Sequence, residues 1–357
     1  MVLEYQMLPP DELFYPPLAS AILSWFMVLS RDWHGRYTMD LHQGIQKFHT
    51  LPTSRIGGVA LFAAMLVAFL LAGDATGGLL GLMILASLPA FLAGLIEDVT
   101  KKVGVRERLM ATMFSGLLAC MLTGVHLGHV DVPLVDSLLR HPVPAIMFTS
   151  FAVAGVANSI NIIDGFNGLA GGVLMICFGM LGLIAWHVGD MHLVNLCILM
   201  ELSTFGFMLV NFPFGKIFMG DGGAYLMGFM LAMTAVLLPT RNPQVSPWAS
   251  IVVCGYPIIE TIFSMFRRMM AGTGTGNPDA AHLHSLIKVN VIRRFLPKLP
   301  QYLRNSLVSP VCWMLALLFA APAIRFYNST SILMLVAMAS ASLYFVVYRI
   351  VLRLEKH

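Results

Sequence analysis

Long apolar runs alternate with short polar stretches along the whole chain. Eleven of these runs are long enough to cross a bilayer as a helix, since a helix rises about 1.5 Å per residue and the hydrocarbon core is about 30 Å thick. The pattern predicts an all-α fold, a polytopic membrane helix bundle that forms a single domain over residues 1–357. The predicted spans are residues 13–30, 56–73, 78–97, 108–125, 143–161, 168–188, 192–211, 222–239, 248–266, 307–324 and 331–350.

Charged residues at the ends of these runs predict the orientation of the chain. Glu4, Asp11 and Glu12 precede the first run and Arg31 follows it, which is the reverse of a cleaved signal peptide. With the N-terminus outside, 19 of the 22 Lys and Arg residues fall on the inner side, as the positive-inside rule requires. An odd number of spans then leaves the C-terminus in the cytoplasm.

The composition agrees with a membrane protein. Hydrophobic residues make up 58% of the chain and charged residues only 11%, whereas a soluble protein carries about 25% charged residues. The formal net charge of +4 is small, and no nucleic acid partner is expected. Five cysteines are scattered through the apolar runs without a Cys-x-x-Cys pair, so we interpret them as packing residues rather than a disulfide or zinc framework.

Polar residues whose side chains can take part in catalysis or binding gather in the predicted inner loops 31–55, 97–108, 158–168, 211–223 and 267–306. Glu97 and Asp98 end the third run, and two adjacent acids at a membrane edge are costly unless a cation meets them. A salt bridge to Lys101 or Lys102 is one interpretation of this pair. A metal ligand or a proton acceptor is the other.

A second polar stretch joins the fifth and sixth runs. Asn158, Asn161 and Asp164 are spaced by three, which places them along one side of a helix, and Asn167 follows after Gly165. Their oxygens suit a hard cation and the hydroxyls of a sugar. The alternative is a helix cap with an interhelical polar cluster.

A third stretch sets Lys216 and Asp221 among glycines at the start of a run. Exposed N–H groups at a helix start favour a phosphate, and a carboxylate there suits Mg²⁺. The stretch lacks the Gly-x-x-x-x-Gly-Lys-Ser/Thr pattern of a Walker A loop. A glycine-rich packing turn is the structural alternative.

The last inner loop combines His282 and His284 with Arg293 and Arg294. The two histidines suit phosphate contacts better than zinc, because no cysteine or third nearby histidine completes a zinc set. Attraction to anionic lipid, worth about 1 kcal/mol per basic residue, explains the arginines but not the histidines.

Taken in order, these motifs resemble the polyprenyl-phosphate N-acetylhexosamine-1-phosphate transferases, glycosyltransferase family 4, which are related to the phospho-N-acetylmuramoyl-pentapeptide translocase. The similarity covers about residues 13–350. The matching pieces are His49 to Gly58, Glu97-Asp98, Asn158 to Leu169, Asn211 to Gly223, and Asp279 with His282 and His284.

The resemblance implies a reaction, a cofactor and a location. A sugar-1-phosphate would pass from a UDP-N-acetylhexosamine to undecaprenyl phosphate with release of UMP. The cofactor would be Mg²⁺, with Mn²⁺ as a substitute. The site would face the cytoplasm from a multi-pass protein of the bacterial inner membrane, with the lipid bilayer as a partner and a homodimer left open.

The resemblance also implies residue roles. Asp98 is the candidate base or nucleophile, Glu97 stands where an Asp is usual, and Asp221 with Asp98 is assigned to the metal. Glu97 is one methylene longer than Asp, and Ala280 stands where a basic or amide residue often follows the loop aspartate. The implied substrate-binding residues are Asn158, Asn161, Asp164, Asn167, Lys216, His282, His284, Arg55, Lys101 and Arg293.

The donor is ranked by the same resemblance. N-acetylglucosamine comes first, because the histidine loop is shorter than in the pentapeptide translocase, and initiation of a cell-envelope glycan such as O-antigen is the expected context. The competing function is a transporter of an anionic lipid or nucleotide-sugar. Such a protein spreads ionisable groups through the bilayer depth, and here Glu201 alone lies at mid-span.

Overall fold

The computed structural model describes residues 8–9, 12–40, 53–272 and 281–354. Helices dominate, joined mostly by short turns. In chain order they are α1 (Tyr15–Leu29), α2 (Arg31–Thr38), α3 (Gly57–Leu71), α4 (Asp74–Thr100), α5 (Val105–Thr123), α6 (Pro133–Leu139), α7 (Pro142–Ile163), α8 (Leu169–His187), α9 (Met191–Asn211), α10 (Gly220–Arg241), α11 (Pro247–Val253), α12 (Gly255–Met270), α13 (Leu283–Leu286), α14 (Arg293–Phe295), α15 (Gln301–Ser306), α16 (Val308–Phe326) and α17 (Thr330–Arg353). A 3₁₀ turn (Glu12–Phe14) precedes α1, and a π-helix (Ile287–Ile292) follows α13.

All eleven predicted runs are helical, and the prediction of an all-α multi-pass membrane protein is confirmed. Within the described ranges, eight helices are long and apolar enough to cross a membrane, and α11 with α12 forms a ninth if the pair, bent by 76°, is one span. The helix α3 is shorter, and α5 begins with three charged residues. The exact number of spans and the sides of the two termini stay predictions.

The helix α10 lies at the centre of the bundle and is buried over almost its whole length. Glycines let α3 and α4 approach its first turn closely. A Cβ atom at Gly58 would lie 2.3 Å from the Gly223 nitrogen, and one at Gly94 would lie 2.6 Å from the carbonyl carbon of Asp221. Only glycine fits at such distances. The first turn of α10 is therefore fixed against α3 and α4.

The sequence pattern did not predict two short strands. The strands β1 (Met39–Asp40) and β2 (Thr53–Ser54) pair antiparallel, and Ser54 also bridges in parallel to Ile217. The Gly57 nitrogen then donates to the Phe218 carbonyl oxygen at 3.0 Å. This pairing runs the chain before α3 alongside the chain before α10, and it places Arg55 beside the α10 start.

The five cysteines are free and buried, as their interpretation as packing residues predicts. Glu201 lies in the middle of α9, half-buried, beside Gly179 of α8. The predicted motif pieces at His49 to Pro52 and at Asp279 and Ala280 lie outside the described residues.

Candidate active site

The carboxylate of Asp98 joins the end of α4 to the beginning of α10. Its Oδ1 accepts a hydrogen bond from the Asp221 nitrogen at 2.9 Å, and its Oδ2 accepts one from the Gly222 nitrogen at 2.8 Å. Backbone N–H groups in a first turn have no partner within their own helix, and a negative charge there is favoured by the helix dipole. With Asp98 only 1% exposed, the two acids of different motifs are held next to each other.

Two arginines pair with Asp221. The Arg55 Nη2 lies 3.1 Å from Asp221 Oδ1, and the Arg55 Nε lies 3.6 Å from Asp98 Oδ1. Arg108, from the first turn of α5, pairs with Asp221 Oδ2. The interpretation of the acidic pair as a salt bridge to Lys101 or Lys102 stays a prediction, and the Lys101 Nζ donates to the backbone carbonyl oxygen of Asp98 at 2.7 Å.

A third acid lies just past the end of α7. Asp164 is half-buried, and its carboxylate makes no hydrogen bond or ion pair with the part of the chain that the structure describes. Burial raises the pKa of Asp164 to about 7, although the charge of Arg55 acts in the opposite direction. Three carboxylates thus lie near two guanidinium groups, an arrangement that favours a cation when Asp164 is ionised.

The asparagines of the second motif divide into two roles. Asn158 is half-buried, and its Oδ1 accepts from the hydroxyl of Tyr225 on α10 at 3.1 Å, which is the interhelical contact foreseen as the alternative. Asn161 lies half-buried one turn further along α7. The guanidinium of Arg108 lies 5.8 Å from the Tyr225 ring centroid, so this contact adjoins the arginine pair.

Asn167 and Asn211 fasten the turn after α7 to the segment before α10. The Asn167 Nδ2 donates to the Pro213 carbonyl oxygen at 3.0 Å, and Asn211 Oδ1 accepts from the Gly168 nitrogen at 2.6 Å. Both side chains are buried. Their contacts give them a structural role, and a direct contact of Asn167 with substrate stays a prediction.

The two predicted histidines lie on the same side of the bundle as this turn. His282 and His284 stack with nearly parallel rings and centroids 5.2 Å apart, and His284 meets the Phe166 ring edge-on at 5.5 Å. Phe166 follows Asp164 by two residues. The histidine loop therefore adjoins the unpaired acid.

The comparison with known families matches this region of the chain. A model described as glycosyl transferase family 4 matches residues 79–239, which contain Asp98, Asp164 and Asp221. Over this region, which is less than half of the chain, the protein is similar to glycosyl transferase family 4.

Curated relatives of this protein carry consistent names. It is 26% identical over 241 residues to a probable undecaprenyl-phosphate N-acetylglucosaminyl 1-phosphate transferase of Bacillus subtilis, covering 67% of this chain and 66% of that protein. It is 28% identical over 312 residues to a decaprenyl-phosphate N-acetylglucosaminephosphotransferase of Mycobacterium leprae, covering 77% of each. The matched region is thus about two thirds to three quarters of these relatives' length.

Four predicted site residues lie at the edge of the cluster. The Glu97 Oε2 accepts from the Val103 nitrogen at 2.7 Å, so this acid is directed to the loop after α4. Lys101 is exposed in that loop, and Arg293 is exposed at the start of α14. The Lys216 Nζ lies 4.2 Å from the Trp25 ring centroid, against α1.

Sequence reasoning missed three residues that the structure brings to the site. Arg108 and Lys288 are among the 19 basic residues placed on the inner side, and no role in the site was assigned to Glu260. The Lys288 Nζ lies 5.5 Å from the Phe166 ring centroid, and burial, together with Arg304 and Arg293, lowers the pKa of Lys288 to about 7. A signal existed for Lys288, because it follows His284 by four residues and so shares a helical face.

Proposed function

We propose that the protein transfers N-acetylhexosamine-1-phosphate, with N-acetylglucosamine-1-phosphate as the first candidate, from a UDP-sugar to undecaprenyl phosphate and releases UMP. The observation that carries the proposal is the Asp98 carboxylate bonded to the first turn of α10, beside Asp221, Arg55 and Arg108. The names of the relatives support both the lipid acceptor and the amino sugar.

The electrostatics of the cluster suit two anionic substrates. A polyprenyl phosphate and a nucleotide diphosphate repel each other, and the chemistry requires that repulsion to be offset. Arg55 and Arg108 supply fixed positive charge next to the acids, and guanidinium groups bind phosphate through two parallel hydrogen bonds. Charge that develops during displacement at phosphorus is stabilised by such pre-placed groups.

Asp98 is the group that we assign to the lipid phosphate. Both of its oxygens accept a backbone hydrogen bond, which fixes the plane of the carboxylate and leaves each oxygen a further lone pair. In the one-step form, an oxygen of the lipid phosphate attacks the sugar-linked phosphorus, the bridging P–O bond breaks and UMP leaves. The sugar C1–O bond is not touched. In the two-step form, Asp98 itself attacks that phosphorus and UMP leaves. The lipid phosphate then attacks the same phosphorus and displaces Asp98.

The acids also fit the Mg²⁺ ion that the family implies. Within the described ranges no three His, Cys, Asp or Glu side chains come together as a metal-binding group, but Mg²⁺ needs only one or two carboxylates plus phosphate oxygens. We assign it to Asp98 and Asp221. When bound, the ion supplies neutralisation of the diphosphate charge, and Mn²⁺ is the natural substitute.

The proposed setting is the cytoplasmic face of a bacterial inner membrane, at the start of a lipid-linked glycan such as O-antigen. A multi-pass bundle suits this task, because an isoprenoid tail stays in hydrocarbon while its phosphate reaches the acids. The transporter alternative has less support. Among the described residues only one helix pair is sharply bent, whereas transporter sites are typically formed by paired discontinuous helices.

The test is UMP release by the purified protein in detergent, with undecaprenyl phosphate, Mg²⁺ and a panel of UDP-sugars. Release that requires both the lipid phosphate and the metal supports the transferase, and the best donor identifies the sugar. No release with any donor, combined with passage of labelled UDP-sugar across proteoliposome membranes, contradicts it and favours the transporter.

A further inference from the structure

A buried carboxylate outside the acid–arginine cluster holds the histidine loop. Glu260 of α12 is 1% exposed, and both of its oxygens are used. Oε1 lies 3.0 Å from His282 Nδ1 and 3.3 Å from the Leu283 nitrogen, while Oε2 accepts from the Tyr344 hydroxyl at 2.8 Å. One side chain thus connects α12, the histidine loop and α17.

The partner helix α17 reinforces this arrangement. Tyr344 and Tyr348 lie one turn apart on α17, and both are buried. The Tyr348 hydroxyl donates to the Ala281 carbonyl oxygen at 3.2 Å, next to His282 in the chain. The backbone of the loop is therefore held at Ala281 and Leu283, on both sides of His282.

The contact with Glu260 decides which nitrogen of His282 carries a proton. An ionised carboxylate only accepts hydrogen bonds, so Nδ1 must be the donor of this pair. Nε2 is then the ring atom through which His282 can meet a substrate. The neighbouring His284 reaches the Gly165–Phe166 turn, so the pair is connected to the site through stacked rings.

We infer that Glu260 is a positioning residue, which holds His282 in the tautomer protonated at Nδ1 and so leaves Nε2 as a hydrogen-bond acceptor for a hydroxyl or N–H group of the UDP-sugar, with Tyr344 fixing the carboxylate from the other side. The effect of Glu260 on turnover rests on the proposed transferase function, whereas its effect on the His282 tautomer does not depend on that function.

The first experiment is a double-mutant cycle on UMP release. Glu260→Gln keeps the size of the side chain but removes its negative charge and replaces one acceptor by a donor, which weakens the bond that holds His282. We expect kcat to fall about 10- to 100-fold, the loss typical of removing a group that orients a functional histidine, with a smaller change in KM for the UDP-sugar. In a His282→Gln background the same change should cost less than about threefold, because the residue through which it acts is gone.

Two further variants separate positioning from packing. Tyr344→Phe keeps the bond between Glu260 and His282, so we expect a smaller loss than for Glu260→Gln. Tyr256→Phe, one turn earlier on α12, removes a buried hydroxyl that makes no hydrogen bond to Glu260 or His282, and turnover should be unchanged. An equal loss for Glu260→Gln in the wild-type and His282→Gln backgrounds, or no loss at all, overturns the inference.

The second experiment does not depend on activity. Nitrogen NMR of ¹⁵N-histidine-labelled protein, with the His282 signals identified by their absence in His282→Gln, reports which ring nitrogen carries hydrogen. We expect a protonated Nδ1 in the wild type and a changed state in Glu260→Gln. An unprotonated Nδ1 in the wild type overturns the inference even if UMP release is robust, and a protonated Nδ1 that depends on Glu260 supports it even if no donor is found.

Discussion

Carboxylates lie near both ends of α10, and they are balanced differently. At the end where α10 finishes, Asp190 receives two bonds from one guanidinium, from Arg241 Nε at 2.8 Å and Nη2 at 3.1 Å. It also accepts from the Asn242 amide and from the Leu193 nitrogen at the start of α9. Burial by itself raises the pKa of Asp190, but Arg241 and these donors lower it below its usual value.

At the end where α10 begins, three carboxylates lie near two guanidinium groups. Asp98 and Asp221 have partners, whereas the Asp164 carboxylate has none among the described residues. A carboxylate with a full set of partners stabilises the fold, as Asp190 does for the turn before α9. An acid left without one costs folding free energy, and such a cost is typical of a site that serves a ligand.

The largest expected effect is on chemistry at Asp98. Asp98→Asn should lower UMP release at least about 100-fold, because an amide cannot accept a proton or act as the nucleophile. The matched variant at the other end, Asp190→Asn, should stay within about twofold of wild type. An Asp98→Asn protein with normal turnover would remove Asp98 from the mechanism.

The next largest effect is expected on the stability of the protein when Arg108 is replaced. Its side chain is 11% exposed and that of Asp221 is 10% exposed, so Arg108→Ala leaves a largely buried charge with one partner fewer. We expect a loss of about 3 kcal/mol in the free energy of unfolding, and reduced turnover. Arg108→Lys should recover part of both. Thermal unfolding in detergent measures the first quantity and UMP release the second.

The third effect concerns the pH dependence of stability, measured without metal and substrate. The pKa of Asp164 is higher in the fold than in the unfolded chain, so the folded protein binds more protons between about pH 4 and pH 7 and loses stability as the pH rises through that window. Asp164→Asn cannot ionise, and it should be more stable than wild type by about 1 to 2 kcal/mol at pH 8, with the gain vanishing near pH 4.

The opposite sign is expected for Asp190→Asn. The pKa of Asp190 is lowered, so its stabilisation is present at neutral pH and is lost only as the pH falls through the folded pKa. This variant should be less stable than wild type at pH 8. If Asp164→Asn and Asp190→Asn changed stability at pH 8 in the same direction, there would be no contrast between the two ends of the bundle.

The smallest effect is expected at Arg241. Its side chain is 37% exposed, so water already screens much of its attraction to Asp190. Arg241→Ala should cost no more than about 1 kcal/mol, with UMP release unchanged. A loss as large as that of Arg108→Ala would mean that exposure does not separate the two ion pairs.

The sequence was sufficient for the helices and for the chemical character of the site. Hydrophobic runs predict helices because each residue must satisfy its own backbone within the membrane, so α4, α7 and α10 could be located from composition alone. Asp98, Asp164 and Asp221 could be singled out because acids at the ends of such runs are costly. Their shared position on one side followed from the same reasoning.

The contacts between residues that lie far apart in the sequence could not be predicted. The bond from the Asp221 nitrogen to Asp98 joins residues 123 positions apart, and no periodicity reports a contact of that separation. Glu97 and Asp98 are adjacent and both acidic, yet one bonds to the Val103 nitrogen and the other to the start of α10, because successive helical residues point in different directions. Arg108 and Glu260 were overlooked for the same reason, since each acquires its role only through a partner on another helix.

The close approach of Gly58 and Gly94 to the first turn of α10 affects which substitutions the protein can tolerate. A methyl group at either position would have to displace the backbone that carries the Asp221 and Gly222 N–H groups. In a scan of every substitution at every position, these two glycines should therefore be as intolerant as the acids, although neither touches a substrate. A map of mutational sensitivity would outline the core of the bundle together with the reaction centre, and only measurements that separate folding from turnover would distinguish the two.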